Sequence, residues 1–167
     1  MPSRIAYIDQ GITYWGSEVP PGVAACSWTK LLLDSENYTS ELDDTVLEEA
    51  GALGIFKLPP GKKAVDVVAD YLSSIYWHTR KELTRRFHED MDHFVVEFWL
   101  TIPATWSEPA KAQTKEAAIR AGFGQPPKDK LFMMTEPEAA AQAVVKAEKV
   151  KLKVFHHVIP RRVLIDK

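Results

Sequence analysis

One cysteine in 167 residues, Cys26, excludes an intrachain disulfide and any zinc centre built from thiolates. A reducing compartment is the simpler setting for such a chain. An excess of positive charge is lacking as well: 21 Lys and Arg stand against 23 Asp and Glu, a net charge of −2. That balance gives no reason to expect nucleic acid or an anionic membrane surface as a partner. Long apolar runs are missing. The most apolar stretch, FVVEFWLTI, is interrupted by Glu97 and is far too short to cross a bilayer. The opening MPSRIAYIDQ has no positive segment leading into an apolar one, so no secretory signal is expected and the expected location is cytoplasmic. Asn37-Tyr38-Thr39 fits a glycosylation sequon, expected to be silent in that setting.

Glycine is scarce where chemistry would use it. The stretch GFGQPP has two glycines but neither a third nor a helical pattern after it, so it is no dinucleotide fingerprint. HEDMDH holds His88, Glu89, Asp90, Asp92 and His93 close together, yet their spacing fits no standard helical ligand pair and a solvated polar turn is the expectation.

What is present is the material of one α/β domain. Hydrophobic residues make up 46% of the chain and charged ones 26%, as in a globular protein with a real core. Residues 4–16 read as two short strands around a turn at Asp9-Gln10-Gly11. WTKLLLD, residues 28–34, reads equally as a short helix or an extended segment. After the breaker Pro59-Pro60-Gly61, Val65, Val68, Leu72, Ile75, Tyr76, Leu83 and Phe87 recur at helical spacing from about Lys63 to Phe87. Lys81, Arg85 and Arg86 gather toward the end of that helix, where its dipole favours cations. HFVVEFWLTIP reads as a buried strand stopped by Pro103. Ser107 offers an N-cap and Pro109 a first-turn residue for an Ala-rich helix ending near Gly122. AGFGQPPKDK is loop, LFMMT a short buried strand, and EPEAAAQAVVKAEK another helix. The alternation of strand and helix gives an α/β class, and the strands near 94–102 and 131–134 are expected to be parallel neighbours joined by the helix of 107–121.

Two places invite a chemical reading. In IAYIDQGITYWG an apolar strand meets Asp9, Gly11 and Thr13, the residue types of a phosphate-gripping turn. In MMTEPEAAA, Thr135 and Glu138 have the spacing of a capping box, with Pro137 in the first turn. That assigns structural work to Thr135 and Glu138 and leaves Glu136 over, at a strand's C-terminal end where α/β sheets bind ligands. The commoner use of such a carboxylate is to complement the helix dipole.

The stretch FWLTIPATWSEPAKAQTKEAAIRAGFG followed by LFMMTEPEAAAQA resembles the nucleotide-binding domain of DnaK-type chaperones, the heat shock protein 70 family. The residues that carry the resemblance are Thr101, Pro103 and Ala104, then Lys111, Thr114 and Ala117, then Ala121-Gly122, then Glu136, Pro137 and Ala139 to Ala141. Thr135 stands where the family has Asn, and Glu138 where it has Thr. With WGSEVPPG and KLLLD, these departures look like the divergent branch of the family abundant in fungi.

The resemblance covers about residues 2–145 and leaves 146–167 as an atypical basic tail. It implies an actin-like ATPase fold related to ribonuclease H, a mixed sheet with flanking helices, here a single incomplete domain over 1–167. It also implies ATP and Mg2+ as the family's cofactors, with Glu136 helping to organise the magnesium and its waters. Lys30 falls on the family's lysine near the γ-phosphate, which orients the attacking water.

The same resemblance disqualifies the opening stretch. The family's first phosphate hairpin reads Asp-x-Gly-Thr-Thr and lies several times further from that lysine than Gly11 lies from Lys30, and here Ile12 replaces the first threonine. PSRIAYIDQGITYWGSEVP matches a later hairpin, so Asp9, Gly11 and Thr13 are expected to be turn residues. The second hairpin, Asp-x-Gly-Gly-Gly-Thr, is also missing, since no glycines follow Asp166 in VLIDK. The expectation is therefore a chaperone-type ATPase fragment, inactive alone, that binds nucleotide weakly if at all. The alternative is a degenerate protein-interaction module that keeps the scaffold, and a small unrelated α/β binding module ranks below both.

Overall fold

The computed structural model describes residues 2–8, 12–27, 33–34, 58–87, 94–125, 127 and 129–152. Strand β1 (Arg4–Ile8) pairs antiparallel with β2 (Ile12–Trp15), from Ile5 opposite Trp15 to Ile8 opposite Ile12. The turn residues Asp9, Gln10 and Gly11 lie outside the described residues. Thr13, expected in the turn, is instead a strand residue opposite Tyr7. The short β3 (Cys26–Ser27) takes the other edge of β1, giving the order β2-β1-β3. Arg4 straps the turn after β2, donating to the carbonyls of Gly16 at 2.9 Å and Val19 at 3.3 Å.

Helix α1 (Ala64–Phe87) follows, then β4 (Val96–Ile102), α2 (Glu108–Ala121), β5 (Asp129–Thr135) and α3 (Glu136–Leu152). β4 and β5 are parallel, in register from Val96 opposite Asp129 to Ile102 opposite Thr135, with α2 between them in sequence as expected. The single mixed sheet expected from the resemblance is not formed by the described residues; they make one antiparallel and one parallel sheet. β1 has both edges paired, by β2 and β3, so β4 does not join the antiparallel sheet beside β1.

The bridge between the sheets is α1. Val67 and Tyr71 face β1 and β3, packing with Ile5 and Cys26 and against Trp15. Val68, Ala69, Leu72 and Tyr76 face the other way, into a core shared with Phe98, Ile102, Trp106 and the alanines of α2. Phe87, expected on the apolar stripe, is exposed. β4 and β5 were expected to be buried strands, and here too the structure differs. On β4, Val96, Phe98, Leu100 and Ile102 face this core, whereas Glu97, Trp99 and Thr101 occupy the alternate positions. On that second face Trp99 stacks on Phe132 at 4.5 Å and Lys130 lies 3.8 Å from Glu97.

Helix boundaries follow the chemistry of their ends. Ser107 Oγ accepts the Ala110 amide at 3.3 Å. At the other end of α2, Gly122 adopts φ 112°, and the amides of Gly122 and Phe123 reach back to the carbonyls of Ile119 and Ala118, a Schellman arrangement. A methyl group at Gly122 would lie 3.1 Å from the Tyr76 ring, a second reason for glycine there. Asp66 accepts the Lys63 amide at 2.7 Å and the Arg120 guanidinium at 2.6 Å, tying the start of α1 to the end of α2; those two donors hold its carboxyl below the usual range. Tyr7 donates to Asp70 at 2.8 Å, and Lys62 reaches the same oxygen at 2.6 Å. Burial, reinforced by that carboxylate, pushes the Tyr7 hydroxyl well above the ordinary tyrosine range.

The centre of the larger core is aromatic. Phe98 and Phe123 meet edge to face at 4.9 Å, and Tyr76 closes the group at 5.0 Å from Phe123 and 5.7 Å from Phe98. The Tyr76 hydroxyl donates to Asp129 Oδ2 at 2.6 Å, and Arg80 Nη1 lies 3.5 Å from Asp129 Oδ1. Replacing Tyr76 by Phe keeps the ring packing and removes the donor from a buried carboxylate. We expect a loss of about 1–3 kcal/mol in chemical denaturation; an unchanged midpoint would show that the hydroxyl contributes nothing.

Candidate functional site

The C-terminal edge of the parallel pair is where the residues singled out from the sequence can be tested. Glu136 is the first residue of α3, directly after Thr135 at the end of β5, and its side chain is exposed. The expected capping box is formed in both directions. The Thr135 amide and hydroxyl each donate to Glu138 Oε2 at 2.8 Å, and the Glu138 amide is 3.4 Å from Thr135 Oγ1. Thr135 and Glu138 are thus occupied with each other, and Glu136 is set at the helix N-terminus beside them. Lys30, the second residue singled out, lies outside the described residues, as does the HEDMDH segment.

Near the same edge, five residues beyond Ile102, sits a pairing that spacing could not reveal. Asp34, the last residue of WTKLLLD, is buried, and its Oδ1 accepts the Ser107 hydroxyl at 2.7 Å. Its predecessor Leu33 belongs to the main core. The partners are 73 positions apart, so nothing short of the folded chain connects them. GFGQPP behaves as its missing third glycine implied: Gly122 and Gly124 are turn residues with positive φ, and the chain then enters β5 rather than a helix. Asp129, read from the sequence as loop, opens that strand with its side chain 1% exposed.

No group of three or more His, Cys, Asp or Glu side chains among the described residues is placed to hold a metal ion. Glu136 is one solvent-facing carboxylate at a helix N-terminus, where its charge is favourable without any ligand. No helix among the described residues is long and apolar enough to cross a membrane.

No protein-family model matches the chain. Over 80 residues it is 35% identical to the heat shock 70 kDa protein 12A of Mus musculus and 32% identical to the protein of that name from Homo sapiens. In both cases the similar stretch is 47% of this chain and 12% of the relative, so the chain spans only a small part of the proteins it matches. The similarity supports a relationship to heat shock 70-type proteins over that stretch.

The capping box carries a pH-dependent prediction. The Thr135 amide, and then its hydroxyl, hold the Glu138 carboxyl below the ordinary range. The unfolded chain therefore binds that proton more readily than the folded one. The stability Glu138 lends is complete above about pH 4.3 and is lost as pH falls through the lower folded value. Glu138→Gln should remove this part of the acid dependence in thermal melts followed from neutral pH down into the acid range. Thr135→Ala should cost about 1 kcal/mol, whereas Glu136→Ala should leave the melting midpoint close to wild type.

Proposed function

We propose that this chain is part of an actin-like ATPase domain of the heat shock protein 70 type, from the divergent branch abundant in fungi, and that it works in the cytoplasm. The observation that carries the reading is the β4–α2–β5–α3 unit. It has two parallel strands in register, an intervening helix capped at both ends, and Glu136 at the second strand-to-helix junction. The 80-residue similarity to heat shock 70 kDa protein 12A points the same way.

In this reading Lys30 and Glu136 are the phosphate-side residues of a larger site whose cofactors are ATP and Mg2+. Lys30 would orient a water, and Glu136 would hold water molecules around the metal. Both act only on a phosphate that something else has placed. Phosphoryl transfer depends on holding phosphate, metal and water in line, more than on covalent help from the protein. Residues 1–167 contain neither of the family's glycine hairpins that would do that holding. An exposed carboxylate such as that of Glu136 contributes little to a charge pair, about 1 kcal/mol or less. Residues 1–167 then form one incomplete domain that binds nucleotide weakly at most.

A second reading, a protein-interaction module that retains the scaffold, is favoured by one feature. Val144 and Val145 of α3 are 62% and 52% exposed, two adjacent apolar side chains left on the surface of that helix.

Calorimetric titration with magnesium-ATP, together with a phosphate-release assay, tests whether this chain carries a working nucleotide site. We expect neither saturable heat nor release above the level of Glu136→Ala, which serves as a control for contaminating chaperone. Micromolar binding, or turnover that disappears in that variant, would show a competent site in the chain as it stands.

A further inference from the structure

Helix α3 starts at the end of β5, and very little of it is covered. Of residues 136–147 only Ala139 is half-buried, and the others are exposed. A helix of this length gains little by itself, because its hydrogen bonds barely offset the cost of starting it. Packing of one apolar stripe against another element normally supplies the rest. Such a stripe is present in α3. Ala140, Ala143, Val144 and Ala147 recur at spacings of three and four, so they share one side of the helix, and Glu136 heads the same row. Val144 alone is 62% exposed there.

The charges along α3 say what fits against that side. Glu136 and Glu138 lie in the first turn, whereas Lys146, Lys149 and Lys151 outnumber Glu148 toward the other end of the sequence EPEAAAQAVVKAEKVKL. A copy of the same helix laid parallel would set like charges together at both ends. Turned end for end, it sets acidic beside basic at both ends, with the helix dipoles opposed as well. A surface that complements itself under such a rotation is what a two-fold dimer requires.

We propose that α3 is the contact between two copies of this chain, packed antiparallel about a two-fold axis beside Val144. In the register that sets Ala143 opposite Val144 of the other copy, Ala140 meets Ala147. The acidic first turn of each helix then lies along the basic end of the other. The contact is small. The 17 residues of α3 span about 25 Å. That is less surface than a standard interface buries, so the dimer forms at micromolar concentrations and above. This role of α3 rests on the interaction-module reading, to which it adds the partner.

Sedimentation velocity of the full chain, from low micromolar to near-millimolar concentration, should show a reversible monomer–dimer equilibrium. Val144→Glu sets like charges face to face in an apolar contact and should raise the dissociation constant by roughly tenfold or more. Ala147→Glu should act in the same way, so the result does not hang on one variant. Both positions are exposed, and circular dichroism should show both variants folded. Cysteine cross-linking, with the buried Cys26 changed to Ala, reads the orientation. Val144→Cys lies beside the axis and should form a disulfide between copies under mild oxidation. Ala140→Cys should not, because antiparallel packing holds its two sulfurs about 10 Å out of step along the helix. A monomer at every concentration overturns the proposal, as does association that both glutamate variants leave unchanged. Equal cross-linking by Val144→Cys and Ala140→Cys would make the pairing parallel and overturn it too. Micromolar binding of magnesium-ATP would count against the interaction-module reading alone, since no nucleotide enters these measurements.

Discussion

The hydrogen bond from Tyr76 to Asp129 joins the long helix to the first residue of the last strand, and it is made inside a cluster of rings. The carboxylate is buried, so it must be held; the tyrosine holds it only if α1 sits at one height against β5. That height brings the Tyr76 ring against Phe98, Phe123 and the bare Cα of Gly122. The helix-ending glycine, the edge-to-face aromatics and the start of the strand are thus mutually determined. A change in one of them disturbs the polar tie as well as the packing. The Arg80 guanidinium, 3.5 Å from the other carboxylate oxygen, adds charge compensation where a neutral partner alone would leave the burial costly.

Elements whose ends carry their own chemistry were legible in the sequence. Ser107 with Pro109, Gly122, and Thr135 with Glu138 mark helix boundaries by local hydrogen bonding, and the structure forms each of these caps. The parallel pairing of β4 and β5 followed from two strands joined through one helix. Other features depend on partners far away in the chain. That β1 would give its second edge to Cys26 and Ser27 has no local signature. Asp129 sat among loop-forming residues and became a buried strand residue because a tyrosine 53 positions earlier bonds to it. Apolar content could not tell a strand packed on two faces from one packed on one, so β4 and β5 read as more buried than they are.

The candidate site divides along the same line. The position of Glu136 followed from the capping box, since a box that occupies Thr135 and Glu138 leaves the residue between them outward. Its chemical meaning did not, because an exposed carboxylate at a helix N-terminus is equally at home without a ligand. Lys30 had no signal apart from the resemblance. Asp34, directly after the three leucines that follow that lysine, was visible only as the end of a motif, and the hydroxyl that holds it belongs to another element.

One helix serves as a wall for both cores, and this governs how the molecule comes apart. Val67 and Tyr71 complete the small core on β1, while Val68, Leu72 and Tyr76, one residue further round the helix at each turn, complete the large one. Neither core can release α1 without uncovering the other. The two sheets share no ladder among the described residues, yet this common wall makes them one cooperative unit, expected to melt in one transition where their topology alone would suggest two.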